Sequence, residues 1–121
     1  MKTMIIMATA IIKMAFAFKQ FPNVSVHDFE EYTKNSPIDH YNYQDHRAYK
    51  QRYWINSKYF NEEDKHAPIF LYICGEYTCS IREDRLYPFM VGASHGALLT
   101  ALEHRFYGKS QPFDDLSNEN L

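Results

Sequence analysis

The stretch from Gly96 to Ser110 constrains the chain more than any other. The nearly uniformly apolar Ala97-Leu98-Leu99-Thr100-Ala101-Leu102 runs straight into Glu103-His104-Arg105, then Phe106-Tyr107-Gly108. Short apolar runs of this kind read as buried strands, so this one delivers polar groups directly from the core to a crevice. An unpaired charge so close to a core costs several kcal/mol, roughly, and at least one of the three charged residues therefore needs a partner. Two readings stand. In one, Glu103 and Arg105 form a structural ion pair; in the other, the residues after the strand line a ligand site, since open α/β sheets bind ligands at the carboxyl ends of their strands.

The rest of the chain reads as strand-rich. After a polar, irregular stretch from Phe18 to Pro37, Tyr41 and Tyr43 alternate with polar residues. Tyr49, Gln51, Tyr53 and Ile55 then interleave with Lys50, Arg52 and Trp54, and the period of two predicts a pair of antiparallel strands. Asn61 to Ala67 is a charged connector closed by Pro68. Ile69-Phe70-Leu71-Tyr72-Ile73 follows as an interior strand bounded by Gly75. A short helix is expected between Asp84 and Ser94, with Leu86, Phe89 and Met90 on one face and Pro88 limiting it to a short segment or its first turn. Leu98 to Leu102 is the next interior strand.

The 121 residues fit one small domain, and 45% hydrophobic with 17% aromatic content is ample for a core. All fifteen acidic residues lie from Asp28 onward, so that the chain beyond residue 18 carries a formal charge of -4, which excludes a nucleic-acid footprint. Residues 1–17 have the form of a secretory signal: a basic start at Lys2, an apolar stretch from Met4 to Ile12 interrupted by Lys13, and Ala15-Phe16-Ala17 as a small-x-small cleavage pattern. A membrane anchor fits less well, because the uninterrupted apolar run is too short to span. Residues 18–37 would then form the start of the processed chain, and Asn23-Val24-Ser25 would be a glycosylation acceptor.

An exported chain bears on Cys74 and Cys79, whose four-residue separation suits a small disulfide loop pinning the turn after the preceding strand. A zinc site lacks a second ligand pair at motif spacing, and a reactive thiol is the remaining alternative. Neither a metal nor a cofactor is expected.

Four ordered blocks carry a resemblance. Ile38-Asp39-His40-Tyr41, Gln51-Arg52-Tyr53, Phe70-Leu71-Tyr72-Ile73-Cys74-Gly75-Glu76 and Ala97 through Ser110 with Pro112-Phe113 resemble the amino-terminal part of a serine carboxypeptidase family. This family includes lysosomal Pro-Xaa carboxypeptidase, dipeptidyl peptidase II and thymus-specific serine protease. The resemblance covers residues 38–121. It implies the amino-terminal portion of an α/β-hydrolase fold, a mixed sheet whose first strands are antiparallel and which is incomplete here. It also implies a secreted or lysosomal exopeptidase that cleaves peptides near one end, after proline or small residues, through a Ser-Asp-His triad. That triad is expected downstream of Leu121, so the chain by itself would be inactive and would need the missing carboxy-terminal part of the same fold as its partner.

Within the chain, the resemblance makes Gly75, Glu76 and Tyr77 candidates for the oxyanion wall, where the family usually has glycine in place of Cys74 and Tyr77. Tyr77 then questions any backbone conformation that only glycine tolerates. Glu103, His104, Arg105 and Tyr107 become active-site scaffold.

Gly92-Ala93-Ser94-His95-Gly96 matches the Gly-x-Ser-x-Gly pattern of a nucleophile elbow. Against a nucleophile at Ser94, no acid and base follow in the required order, and Pro88 would sit beside a central strand; the alternative is a turn or helix-end serine. A reading from a different class, a secreted non-enzymatic β-rich binding module, also stands.

Overall fold

A computed structural model describes residues 21–115 and residue 117. The proposed signal segment lies outside the described residues. Four strands, β1 (Glu30–Pro37), β2 (Ala48–Asn56), β3 (Ile69–Ile73) and β4 (Leu98–Leu102), form one mixed sheet in the order β1-β2-β4-β3. Among the described residues one α-helix, α1 (Tyr87–Ala93), lies between β3 and β4 in sequence. β1 pairs antiparallel with β2, β2 antiparallel with β4, and β3 parallel with β4.

β1 lies inside the stretch expected to be irregular. Its sequence, EEYTKNSP, has no apolar alternation because all its residues but Ser36 stay exposed. Backbone pairing in register with β2, from Glu30 opposite Ile55 to Pro37 opposite Ala48, holds it in place. Tyr41 and Tyr43, expected in a strand, instead stand almost fully exposed in the hairpin loop. Short polar side chains there satisfy backbone N–H groups that a strand would have paired. Asp39 Oδ1 accepts from Tyr41 and Asn42, Asn42 Oδ1 from Gln44, and Asp45 Oδ1 from Arg47.

The apolar runs at 69–73 and 98–102 are strands, and α1 lies within the expected region but starts only at Tyr87, after a 3-10 turn over Glu83–Arg85, with Pro88 in its first turn, where proline's missing N–H costs nothing. β4 is interior. β3 is at the sheet edge among the described residues, where an interior strand was expected, and its Ile69, Leu71 and Ile73 are more than half exposed.

Alternation along the strands separates the two faces. Trp54, Leu99 and Ala101 point to the inner face, where they join Val24, Leu86, Phe89, Ala93 and the two cysteines in the core, with Phe70 and Tyr72 packed against it. The outer face carries Ile69, Leu71, Ile73, Leu98 and Leu102, alongside Tyr32 stacked on Tyr53. Because β3 and β4 run parallel, their carboxyl ends, Ile73 and Leu102, are direct partners, and the loops that follow leave from the same edge of the sheet.

Candidate functional site

The two loops leaving that edge, 74–79 after β3 and 103–110 after β4, are joined through one buried carboxylate. Glu103 is fully buried. Its backbone N–H donates to the Arg52 carbonyl at 3.0 Å, which extends the β2–β4 ladder one residue past β4 and turns the side chain inward beside the Arg52 guanidinium. Arg52 donates to it through Nε at 3.2 Å and through a second guanidinium nitrogen. The backbone N–H of Cys79 (3.0 Å), the backbone N–H of Lys109 (3.1 Å) and the Ser110 hydroxyl (2.8 Å) also donate to the carboxylate. Burial by itself raises the carboxyl pKa. The donors from Arg52, Ser110 and Cys79 outweigh it and hold the group below the ordinary value of 4.5, so it stays ionised at neutral pH.

The fully buried residue of the charged triplet is Glu103, and its partner is Arg52 from β2, not Arg105. Arg105 instead lays its guanidinium over the rings of Tyr49 and Phe106, at 5.4 and 4.9 Å from their centroids. His104 is exposed, with Nδ1 donating to the Arg105 carbonyl at 2.8 Å and its ring edge-on to Tyr107. Of the four residues grouped as scaffold, only Glu103 enters the buried network.

Two positions in the 103–110 turn have left-handed backbones, Phe106 (φ 73°) and Gly108 (φ 55°). Gly108 is required twice over. A β carbon there would stand 2.0 Å from Glu103 Oε1, so the turn closes on the carboxylate only because no side chain intervenes. Phe106 bears the strain of the left-handed region, about 1–2 kcal/mol for a residue with a β carbon, and its N–H donates to the Ser110 carbonyl across the turn.

The 74–79 loop is closed by a disulfide between Cys74 and Cys79, whose Cα atoms are 5.7 Å apart. Gly75 and Tyr77 both lie outside the left-handed region, so Tyr77 needs no conformation reserved for glycine. The ring of Tyr77 folds back on Gly75, and its hydroxyl meets Tyr72 at 3.0 Å and accepts from Arg85. The hydrogen bond with Tyr72 and the cation beside it lower the Tyr77 phenol pKa, while the same contact, with burial, raises that of Tyr72. Glu76 is exposed.

Ser94 occupies a different environment. It is the C-terminal cap of α1, preceded by helix and followed by a turn at Gly96 and then β4, which is the reverse of the strand–turn–helix order of a nucleophile elbow. Its hydroxyl donates to the Val91 carbonyl at 2.8 Å. His95 Nδ1 lies 2.8 Å from that carbonyl and so carries its proton toward it, which leaves this nitrogen without a lone pair for the serine 3.1 Å away.

Asn23 is exposed, and its carbonyl accepts from the Tyr59 hydroxyl. Among the described residues no group of three His, Cys, Asp or Glu side chains could hold a metal, and no helix is long and apolar enough to cross a membrane.

Comparison with known proteins decides the family. The model of the serine carboxypeptidase S28 family matches residues 36–121, which include β2, β3, β4 and both loops. The chain belongs to the serine carboxypeptidase S28 family. It is 43% identical over 88 residues to the probable serine protease EDA2 of Arabidopsis thaliana, covering 72% of this chain and 17% of that protein. It is 38% identical over 85 residues to the human thymus-specific serine protease, covering 69% and 16%, and 39% identical over 77 residues to the mouse protein of that name, covering 63% and 15%. The chain thus spans about one sixth of the length of these relatives. Membership of this family weighs against the alternative of a β-rich binding module.

Arg52 and Ser110, which complete the buried network, stand in the blocks that carried the resemblance, yet the sequence reading gave neither a role at the site. A lone arginine in an alternating strand is the signal for the first, since a strand that buries one face must also bury a partner for that charge.

Proposed function

We propose that this chain builds the amino-terminal part of the catalytic domain of a secreted or lysosomal serine exopeptidase with an α/β-hydrolase fold. In this reading it acts on peptides near one terminus, after proline or small residues. The observation that carries the reading is the shared edge at the ends of β3 and β4, where the disulfide-closed 74–79 loop and the 103–110 turn meet over Glu103 in a chain of the S28 family.

In acyl transfer a serine oxygen attacks the scissile carbonyl, a base takes the serine proton, and preorganised N–H donors stabilise the oxyanion of the tetrahedral intermediate. The backbone of Gly75, Glu76 and Tyr77 supplies the oxyanion wall. The nucleophile, acid and base come from polypeptide outside this chain, since Ser94 caps the end of a helix and does not stand in a strand–turn–helix elbow. That polypeptide also covers the outer face of the sheet and pairs with the β3 edge. Asn23, exposed near the start of the described residues, carries a glycan in this reading.

The test is to express the full-length protein that contains this chain, with and without Ser94→Ala, and treat it with a fluorophosphonate probe alongside a panel of prolyl peptides. Covalent labelling and turnover that survive Ser94→Ala are expected. Absence of labelling in the unaltered protein overturns the serine peptidase reading, and loss of labelling on Ser94→Ala overturns the assignment of the nucleophile elsewhere.

A further inference from the structure

We infer that Arg52 and Glu103 are positioning residues that set the backbone of the 74–79 loop, acting through both backbone groups of Cys79. The inference rests on the proposed role of Gly75 to Tyr77 as the oxyanion wall. The ion pair reads Cys79 as a neighbouring strand would. Glu103 Oε1 accepts from the Cys79 N–H at 3.0 Å, and an Arg52 guanidinium nitrogen donates to the Cys79 carbonyl at 2.9 Å. At the other end of the loop, Cys74 N–H donates to the Leu102 carbonyl at 2.9 Å. The two ends are thus tied to adjacent residues at the end of β4, Leu102 and Glu103, and the disulfide ties them to each other.

Between these ties the loop turns tightly, with Tyr77 N–H donating to the Gly75 carbonyl at 2.8 Å, and it has no regular secondary structure of its own. A loop of this kind keeps its amides in a fixed direction only if both ends are fixed, and misplacing groups that must meet a transition state by about 1 Å can cost about 100-fold in rate. A lysine at position 52 would keep the charge but lose the planar fork that reaches the carboxylate and the Cys79 carbonyl together. The disulfide constrains the distance between the loop ends, whereas the ion pair constrains their orientation against the sheet, so neither substitutes for the other.

The experiment compares Arg52→Lys and Glu103→Gln in the full-length protein by steady-state kinetics on a peptide substrate and by amide hydrogen exchange resolved to peptides covering 74–79 and β4. The expected result for Arg52→Lys is a fall in kcat of about 10- to 100-fold with KM within about twofold, because the donors act on the transition state and not on substrate binding. Exchange in 75–79 should rise about tenfold or more while β4 keeps its protection. Unchanged kcat with unchanged loop exchange in both variants overturns the inference. So does loss of protection throughout the sheet in both, which would make the pair a requirement of the fold and not of the loop. If the unaltered protein shows no peptidase activity, the reading of the site fails by itself, and the exchange result still decides whether the pair sets the loop.

Discussion

Replacing Gly108 by alanine should be far more damaging than the same change at Gly96, although both glycines have left-handed backbones, φ 55° and 67°. The left-handed conformation costs a residue with a β carbon about 1–2 kcal/mol at either site, and the smaller entropy of the unfolded alanine chain offsets about 0.4–1 kcal/mol of that equally. The difference lies in what the new methyl meets. At Gly96 the nearest atom is the Asn61 β carbon at 3.2 Å, a contact relieved by a shift of a few tenths of an ångström. At Gly108 it is Glu103 Oε1 at 2.0 Å, with the carboxyl carbon at 2.7 Å. That carboxylate has no free direction to move, since Arg52, Cys79, Lys109 and Ser110 hold both oxygens. Displacing it severs at least one charge-assisted hydrogen bond, about 1.5–3 kcal/mol, and separation of the buried pair costs about 3–5 kcal/mol in total. The Gly108→Ala protein should therefore be less stable than Gly96→Ala by about 2 kcal/mol or more, read as the difference in urea midpoint at constant slope. Equal losses for the two variants would refute the reasoning, because they would show that the turn does not depend on close approach to Glu103.

Three further outcomes follow from the same contacts. Because the Glu103 pKa is depressed below 4.5 in the folded protein, its stabilising contribution is present above that value and is lost as pH falls through the folded pKa. The acid limb of a stability profile should accordingly be shallower in Glu103→Gln than in the unaltered protein, as read from urea midpoints across the acid range. Tyr77→Phe removes the hydroxyl that raises Tyr72, so Tyr72 should titrate closer to its ordinary value of 10.0, followed by ultraviolet absorbance of the tyrosinate. Replacing Cys74 and Cys79 by alanine opens a very short loop and should cost about 2 kcal/mol by chain entropy, measured by denaturation against the oxidised protein.

What could be read from the sequence divides by physical range. β4 and the charged triplet were legible because a run of apolar residues followed at once by charge is a local pattern, and desolvation required a partner for at least one of the three. The identity of that partner was not local. Arg105 is near Glu103 in sequence, but Arg52 meets it because β2 and β4 pair antiparallel with Tyr53 opposite Leu102, a register that no short window contains. β1 was missed because all its residues but Ser36 stay exposed and backbone pairing with β2 sets its register, leaving no periodic trace in side-chain type. Tyr41 and Tyr43 misled in the opposite sense. Their alternation is that of a strand, but Asp39, Asn42 and Asp45 capture the intervening N–H groups, and those residue types were visible beside them.

The apolar character of β3 on both faces suggested an interior strand, and its edge position changes how its energetics are read. Ile69, Leu71 and Ile73 are 68%, 56% and 59% exposed, and fully burying such side chains stabilises a protein by about 1.5–3 kcal/mol each. The unrealised stabilisation on this one strand is therefore several kcal/mol, comparable with the 5–15 kcal/mol or so that separates a typical folded domain from its unfolded state. A parallel pair that is apolar on both faces is the pattern of a sheet covered on both sides, so covering the outer face is an energetic matter. The Arg52–Glu103 pair on the inner face is different in kind. Buried ion pairs often contribute little net stability relative to apolar replacements of similar volume, because desolvation cancels most of the attraction. What an apolar pair could not do is hold the N–H and the carbonyl of Cys79 at once, together with Lys109 N–H and the Ser110 hydroxyl. The outer face determines how firmly the sheet is held, whereas the buried pair determines where the 74–79 and 103–110 loops stand at its edge.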